Sequence, residues 1–402
     1  MNIAVAQSGG PTCAINASLL GVIREASENP SIDRIFGSYN GIEGLLTNQL
    51  IDLKRTVSTK TDFDLLRQTP SSVLGSCRYK LPDSAVDSEP YEKILDCFDK
   101  NGIDAFFYIG GNDSMDTVVK LSAYCKEKGR DIRIVGVPKT IDNDLFETDH
   151  TPGFGSAAKF VITTVNEIIR DTAVYDMKSV VIVEIMGRHA GWLTASTCLL
   201  RLNGEVCPQL IYLPEKRFDH NAFIEDVKAE LQKNDTVIVA VSEGIRFDDG
   251  TENGSAAGRP DGFGHIALGG VGKQLEELVR CTVGCKVRSV ELNVLQRCAS
   301  HCASRTDLFE AENAGKVAVR EMMSGSTGSM IRIRRISDSP YRIAMEAIDA
   351  SLVANKDKPF PLKWINDAGN NVTDDAIPYF LPLIQGDVPA VTENGIPVHF
   401  KL

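Results

Sequence analysis

Residues 105–116 read Ala-Phe-Phe-Tyr-Ile-Gly-Gly-Asn-Asp-Ser-Met-Asp, and this stretch carries the clearest indication of the fold. Residues 105–109 are apolar or aromatic, as expected of a strand buried on both faces of a parallel sheet. Gly110 and Gly111 interrupt this strand, and Ser114 starts a segment of helical periodicity that Gly129 closes. A strand, a glycine turn and a helix in this order predict a parallel sheet covered by helices.

The same order recurs along the chain on both sides of this stretch. Strands are predicted at residues 3–7, 105–109, 132–137, 179–184, 209–213 and 236–242. Helices are predicted at residues 14–27, 114–128, 156–174, 222–232, 272–279 and 307–324. Residues 248–263 are predicted to form a surface loop, and the proline-punctuated chain past about Arg335 is predicted to be irregular.

Composition limits the class of protein. The chain has 402 residues, of which 43 are basic and 54 acidic, so its net charge is −11. This length suggests two or three domains, and the acidic balance argues against a nucleic acid or an anionic membrane as partner. The sequence lacks long apolar runs and a signal-peptide pattern. We therefore expect a cytoplasmic protein whose ten scattered cysteines stay reduced.

Two predicted strands end in glycine turns. Gly9 and Gly10 would let backbone N–H groups approach a phosphate at a helix N-terminus, although a tight strand-to-helix turn explains them equally well. Asn112, Asp113 and Ser114 follow the second turn and offer oxygen atoms of the kind that bind Mg²⁺. Capping of the following helix would account for one of these three side chains, but not for all of them.

A third strand end contains Lys139, Asp142 and Asp144. Of two carboxylates separated by one residue, one can accept a hydroxyl proton while the other faces a metal ion. Lys139 adds the positive charge that phosphoryl transfer requires. A charge-balanced polar turn is the alternative, but it does not explain why so many functional groups are concentrated here.

A fourth strand end contains Arg188 directly after Gly187. A guanidinium group binds phosphate in bidentate fashion, whereas a structural arginine usually pairs with a surface carboxylate. Glu243 follows another predicted strand, where it would either hydrogen-bond sugar hydroxyls or be a solvated loop residue.

Taken together, these turns resemble the phosphofructokinase family, and within it the pyrophosphate-dependent branch. The similarity extends from the N-terminus to about residue 335. It rests on an ordered set of motifs: Gly9-Gly10-Pro11, Gly75-Ser76-Cys77-Arg78, Gly110-Gly111-Asn112-Asp113-Ser114, Pro138-Lys139-Thr140-Ile141-Asp142-Asn143-Asp144, Met186-Gly187-Arg188 and Gln296-Arg297. The resemblance implies an α/β fold of two Rossmann-like three-layer domains with mostly parallel sheets and the active site in the cleft between them.

The resemblance also implies roles for individual residues. Asp142 would accept the proton of the sugar 1-hydroxyl, and Thr140 would help to hold the transferring phosphoryl group. Gly10 and Arg78 would contact the phosphoryl donor. Fructose 6-phosphate would be held by residues from the second half of the chain, the last two of them on its phosphate: Met186, Gly187, Arg188, Glu243, Arg288 and Arg297.

The resemblance further implies Mg²⁺ as cofactor, positioned by Asp144 together with Asn112, or with Asp113 in its place, directly or through water. Because Asn112 stands where many relatives have an aspartate, the ion would be held with one fewer negative charge or through water. ATP-using relatives typically have glycine at the positions of Asp113 and Lys139, which leaves room for the nucleotide. Asp113 would fill that space and repel an α-phosphate, and Lys139 would attract the compact charge of pyrophosphate. These two residues therefore favour pyrophosphate as donor.

Alternatives to this interpretation remain open. Asp113 and Lys139 could form a structural salt bridge while ATP binds in a shifted pose, as in an ATP-dependent phosphofructokinase. A lipid or dinucleotide kinase would share only the diglycine–Asp turn, and a non-catalytic phosphosugar-binding regulatory subunit would need neither Asp142 nor Asp144. Two cysteine pairs, Cys281/Cys285 and Cys298/Cys302, have a spacing compatible with zinc, with buried free thiols as the alternative.

The expected organisation follows from these roles. Residues 1–150 would form a domain for pyrophosphate and Mg²⁺, residues 151–335 a sugar-phosphate domain, and residues 336–402 a C-terminal extension, with the chain crossing back between the domains. By resemblance, the protein would be a homodimer or homotetramer with the sugar phosphate near a subunit interface.

Overall fold

The computed structural model describes residues 1–247 and 270–402. Most of its longer strands belong to two sheets. The larger sheet has seven strands in the spatial order Tyr341–Asp349, Ser329–Asp338, Arg133–Pro138, Ile103–Gly110, Asn2–Gln7, Arg34–Ser38 and Leu50–Asp52. Its five central strands run parallel, and only the two edge strands pair antiparallel with their neighbours.

The second sheet is parallel throughout. Its four strands lie in the order Lys286–Glu291, Ser179–Ile185, Thr236–Ser242 and Leu210–Tyr212. Two-residue strands form two further small pairs: Arg217–Phe218 with Arg246–Phe247, and Thr392–Glu393 with Ile396–Pro397. The predicted α/β class with mostly parallel sheets is confirmed.

Helices cover the sheets and connect their strands. The longer α-helices are Ile15–Glu28, Lys60–Gln68, Glu89–Asn101, Asn112–Glu127, Phe154–Thr172, His220–Lys233, Val271–Thr282 and Arg305–Met323. Short α-helices are Ile42–Leu46, Leu53–Thr56, Trp192–Ala195, Leu295–Cys298 and Ile377–Phe380. The 3₁₀ segments are Ser196–Asn203, Ser300–Cys302, Ala350–Leu352, Leu362–Trp364, Asp374–Ala376 and Leu381–Ile384.

Successive residues of the first strand, Asn2–Gln7, pack against different helices, which shows that the larger sheet is covered on both faces. Ile3 and Val5 pack on one face with the helices Ile15–Glu28 and Arg305–Met323. Ala4 and Ala6 pack on the other face, in a core shared with the helices Glu89–Asn101 and Asn112–Glu127. Because successive strand residues point to opposite faces, a strand that is apolar throughout must be covered on both sides.

The helices Ile15–Glu28 and Arg305–Met323 pack backbone to backbone. A Cβ atom on Gly21 would overlap the carbonyl oxygen of Glu312, and one on Gly315 would overlap that of Ser18. These two glycines therefore allow a separation that any larger residue would prevent. The contact fixes the C-terminal half of the chain against the N-terminal sheet.

The C-terminal region departs in part from the prediction. The chain past Arg335 was expected to be irregular, and this is wrong for Tyr341–Asp349, which is an edge strand of the larger sheet. Pro340 lies in the turn between this strand and Ser329–Asp338, so proline here marks a hairpin and not the end of regular structure. The predicted loop at residues 248–263 lies outside the described residues. The domain boundaries at 150 and 335 stay a prediction.

None of the helices in the described part of the chain is long and apolar enough to cross a membrane.

Candidate active site

A cleft of about 450 Å³ opens at the carboxyl ends of strands from both sheets. In parallel α/β sheets this edge is where ligands bind, because glycine turns and helix N-termini meet there. The cleft is lined by Gly9, Gly10, Pro11, Thr12, Arg78, Lys80, Gly111, Asn112, Asp113, Ser114, Lys139, Thr140, Ile141, Asp142, Asp144, Met186, Arg188, His189, Glu243, Arg297, Asn355 and Asp357. The structure thus brings together all the predicted site residues except Gly187 and Arg288.

Lys139 forms part of the cleft wall next to the first glycine turn. Its side chain is 2% exposed, and Nζ donates a hydrogen bond of 2.7 Å to the carbonyl oxygen of Gly10. Burial lowers the pKa of Lys139 to about 8, against the opposing effect of Asp142 and Asp144. Gly9 has φ +74°, and a Cβ atom there would lie 3.3 Å from Nζ of Lys139. The positive φ therefore favours glycine at this position, and a larger residue would press on the amine of Lys139.

Arg297 also lies beside this turn. A Cβ atom on Gly10 would be 3.6 Å from Nη1 of Arg297, so the guanidinium group faces the side of the cleft formed by the first sheet. Gln296, the preceding residue, is buried, and its Oε1 accepts a hydrogen bond of 3.2 Å from the backbone N–H of Met186. The Gln296-Arg297 motif thus ties the two halves of the cleft together. The predicted role of Arg297 on the sugar phosphate stays a prediction.

The second glycine turn starts the helix Asn112–Glu127. A Cβ atom on Gly110 would overlap Oγ of Ser114, so only glycine fits there. The N-cap residue is Gly111, which makes no side-chain capping bond. Asn112 instead donates through Nδ2 to the carbonyl oxygen of Lys356 at 2.9 Å and to the Asp357 carboxylate at 3.0 Å. Its Oδ1 is buried and has no hydrogen-bond partner among the described residues.

Asp142 lies on the turn after strand Arg133–Pro138, held by Thr140. Its backbone N–H donates to Oγ1 of Thr140 at 3.1 Å, and that hydroxyl donates to Oδ2 of Asp142 at 3.4 Å. Burial raises the pKa of Asp142, while the Thr140 hydroxyl, Lys139 and Arg188 lower it. A carboxylate that is partly desolvated and fixed in orientation is suited to act as a general base.

Asp144 follows on the same turn. Burial, and then the nearby carboxylates of Asp142 and Asp357, raise the pKa of Asp144 to about 7. The turn is held from outside by Asn143, which has φ +56° and donates through Nδ2 to the hydroxyl oxygen of Tyr379 at 2.8 Å. The C-terminal region therefore supports the turn that carries both carboxylates.

The opposite wall of the cleft is formed by the second sheet. Met186 and Arg188 line the cleft, and Gly187 lies buried between them with φ +145°. The backbone N–H of Gly187 donates to Oε1 of Glu243 at 3.4 Å. Gly187 therefore lies behind the cleft surface and contacts a residue that lines it. Burial, and then Asp142, raise the pKa of Glu243 to about 7. Glu243 thus lines the cleft with one carboxylate oxygen held by the backbone of Gly187, and its contact with sugar hydroxyls stays a prediction.

Arg288 is placed away from the cleft. It lies on strand Lys286–Glu291, is 58% exposed at its side chain, and contacts Asp171 at 3.7 Å. Together with Tyr175 it lines a separate, shallow depression. The cleft of the same chain therefore does not contain the pair of arginines, Arg288 and Arg297, that was predicted to hold the sugar phosphate.

The cleft also contains residues that the sequence did not single out. Lys80 and His189 line the cleft and lie within two residues of Arg78 and Arg188, which belong to recognised motifs. Their place in the cleft could therefore have been predicted from the sequence. Asn355 and Asp357 come from the C-terminal region, more than two hundred residues from the turns that they join. No local pattern marks them, because only the tertiary fold brings them to this edge.

The cysteine pairs considered for zinc do not form a metal centre. Cys281 and Cys298 are exposed, and Cys285 and Cys302 are partly buried. Among the described residues, no group of three or more histidine, cysteine, aspartate or glutamate side chains is arranged to hold a metal ion. Any cation in the cleft must therefore draw on amide oxygens, water or substrate as well as on carboxylates.

Comparison with known proteins agrees with this geometry. Residues 2–322 match the family described as Phosphofructokinase. A pyrophosphate–fructose 6-phosphate 1-phosphotransferase of Halomonas elongata is 40% identical over 406 residues, covering 100% of this chain and 96% of that protein. One of the same name from Xanthomonas campestris is 40% identical over 404 residues, with coverage of 100% and 96%. The crystal structure of a pyrophosphate-dependent phosphofructokinase from Marinobacter aquaeolei superposes with a TM-score of 0.87 at 35% identity, covering 99% of this chain and 95% of that one. This chain belongs to the phosphofructokinase family.

Proposed function

We propose that the protein transfers a phosphoryl group from inorganic pyrophosphate to the 1-hydroxyl of fructose 6-phosphate, giving fructose 1,6-bisphosphate and phosphate. The names of the two relatives, each 40% identical over the whole chain, support this reaction. One phosphoanhydride is exchanged for one phosphate ester without a nucleotide, so the reaction runs readily in both directions. A place in glycolysis and gluconeogenesis follows from the substrate and the product.

The observation that carries the choice of donor is the presence of both Lys139 and Asp113 in the lining of the cleft. Lys139 is buried with its amine directed at the glycine turn, where it meets a compact anion. Asp113 lines the same space and opposes a longer donor, because its carboxylate repels an α-phosphate. Arg297, beside Gly10, adds a further cation toward the donor.

Proton transfer is assigned to Asp142. The sugar 1-hydroxyl is placed against this carboxylate, which takes the proton as the oxygen attacks the phosphoryl group. Thr140 fixes the orientation of the carboxylate and lines the path of the transferring group. Met186, Arg188 and Glu243, on the opposite wall, hold the sugar so that the hydroxyl faces the donor in line.

Mg²⁺ is the proposed cofactor, held by Asn112 and Asp144. The residues present fit this ion, since Oδ1 of Asn112 is a buried oxygen without a hydrogen-bond partner among the described residues and Asp144 supplies a carboxylate. When bound, Mg²⁺ would neutralise charge on the phosphate oxygens.

The proposed assembly is a homodimer or homotetramer. Arg288 lies on the surface and outside the cleft of its own chain, which is the arrangement expected if it reaches the sugar phosphate of a neighbouring subunit. In the proposed division of the chain, residues 1–150 bind the donor, residues 151–335 bind the sugar, and residues 336–402 support the turn that carries Asp142 and Asp144.

Replacement of Asp142 tests the proposed reaction. In an aldolase-coupled assay for fructose 1,6-bisphosphate, we expect Asp142→Asn to lower kcat by roughly 10²- to 10⁴-fold because the general base is lost. Asp131→Asn, an exposed aspartate outside the cleft, is the control and should leave kcat unchanged. Wild-type protein that binds fructose 6-phosphate but forms no bisphosphate with any donor would instead indicate a non-catalytic regulatory subunit.

A further inference from the structure

Asn143 links the two carboxylates of the proposed site. Asp142 and Asp144 line the cleft, whereas Asn143 between them is fully buried and lies outside the cleft lining. Its φ of +56° is in the left-handed region, which is strained for most residues other than glycine and which asparagine tolerates better than most. In the described part of the chain, the backbone of Asn143 makes no hydrogen bond to another residue. This conformation is therefore held through the side chain.

The side-chain amide of Asn143 is held at both ends by the C-terminal region. Its Nδ2 donates to the hydroxyl oxygen of Tyr379 at 2.8 Å, and Nζ of Lys358 donates to its Oδ1 at 3.5 Å. The Tyr379 hydroxyl in turn donates to the carbonyl oxygen of Asp149 at 2.6 Å. Because an ammonium group can only donate, and because the hydroxyl proton is used toward Asp149, this network allows only one orientation of the amide.

The hydroxyl of Tyr379 is itself fixed by contacts of its ring. The ring centroid lies 5.0 Å from that of Trp192 and 5.3 Å from that of Phe380, and the guanidinium carbon of Arg335 lies 4.6 Å from it. Burial raises the pKa of Tyr379, so the hydroxyl keeps its proton. These ring contacts do not involve the oxygen. They would remain if the oxygen were removed.

We propose that Tyr379 is a positioning residue for phosphoryl transfer. Through Asn143, its hydroxyl fixes the backbone between Asp142 and Asp144, and with it the direction in which the Asp142 carboxylate meets the sugar hydroxyl. Thr140 holds Asp142 from the preceding side of the turn, and Tyr379 supplies the support from the following side. This inference rests on the proposed role of Asp142 as general base and extends it to a residue that does not line the cleft.

The substitution Tyr379→Phe removes the hydroxyl and keeps the ring. Nδ2 of Asn143 then loses its acceptor. A small displacement of a catalytic group slows the reaction more than it weakens binding, so we expect kcat to fall by about 10- to 100-fold while KM for fructose 6-phosphate stays within about twofold. Tyr212→Phe is the matched control and should leave kcat unchanged, because its hydroxyl donates to Asp226 at 2.8 Å beside the second sheet, outside the cleft.

A double-mutant cycle tests whether Tyr379 acts through Asn143. Glycine adopts a positive φ without a side chain, so Asn143→Gly removes the contact with Tyr379 and still permits the turn. If the hydroxyl acts through Asn143, adding Tyr379→Phe to Asn143→Gly should lower kcat by less than about twofold. The aldolase-coupled assay for fructose 1,6-bisphosphate measures all four proteins.

The possible contrary results differ in what they overturn. If kcat of Tyr379→Phe is within twofold of wild type, or if the substitution has the same effect in the Asn143→Gly background, Tyr379 does not position Asp142, while the proposed reaction stands. Loss of the far-ultraviolet circular dichroism of Tyr379→Phe would also overturn the inference, since the hydroxyl would then support the whole fold. If wild-type protein forms no bisphosphate with either pyrophosphate or ATP, both the inference and the proposed function are wrong.

Discussion

At the scale of single residues, the proposed function assigns the choice of donor to Asp113, which lines the cleft. Two like charges about 4 Å apart interact by roughly 4 kcal/mol near a protein surface, which is enough to exclude an α-phosphate. We expect Asp113→Gly to raise the ratio of ATP-supported to pyrophosphate-supported kcat/KM by about tenfold or more. Initial rates with each donor at saturating fructose 6-phosphate measure this ratio, and an unchanged ratio would show that Asp113 does not select the donor.

Arg297 allows a second test at this scale, because its position in the structure and its sequence motif suggest contacts with different substrates. The guanidinium group lies beside Gly10, on the donor side, whereas the sequence motif predicted a contact with the sugar phosphate. From the observed position we expect Arg297→Met to raise KM for pyrophosphate by about tenfold and KM for fructose 6-phosphate less. Steady-state titration of each substrate decides, and the reverse order would support the role predicted from sequence.

At the scale of elements, His150 joins the loop after the turn that carries Asp142 and Asp144 to helix Arg305–Met323. Its Nε2 contacts Glu310 at 2.6 Å and its Nδ1 contacts Asp149 at 2.8 Å. Burial alone would lower the pKa of His150, but the two carboxylates raise it to about 9. This pKa lies above the value of about 6.5 for an exposed histidine, so the protonated form stabilises the fold.

The sign of the pH dependence follows from this raised pKa. The stabilisation is complete below about pH 6.5 and is lost as the pH rises through about 9. We expect wild type to have a larger free energy of unfolding than His150→Gln. This difference should be on the order of 3 kcal/mol greater at pH 6 than at pH 9.5. Urea unfolding of both proteins at both pH values measures this difference. A stability difference that is the same at pH 6 and pH 9.5 would contradict the raised pKa of His150.

What the sequence could predict also differs between elements. Strand–glycine–helix units are local, so turns such as Gly110-Gly111 and the residues that follow them could be placed at one edge of a sheet before the structure was known. The hairpin strand Tyr341–Asp349 could not, because its regularity comes from pairing with Ser329–Asp338 and not from its own pattern. Asp357 was missed for the same reason, since tertiary contacts alone bring it to the cleft.

At the scale of the whole molecule, the charge distribution differs between surface and cleft. The net charge of −11 makes the protein acidic as a whole. Lys139, Arg188 and Arg297 nevertheless line one cleft between two sheets, together with the carboxylates of Asp142 and Asp144. Small anions can bind where cations are concentrated even when the protein as a whole repels polyanions.

The most direct test of the proposed function is steady-state turnover with Mg²⁺ and fructose 6-phosphate, with either pyrophosphate or ATP as donor. We expect pyrophosphate to support rapid formation of fructose 1,6-bisphosphate, ATP to support little, and phosphate with fructose 1,6-bisphosphate to give pyrophosphate in the reverse assay. Turnover with ATP that exceeds turnover with pyrophosphate would contradict the assignment.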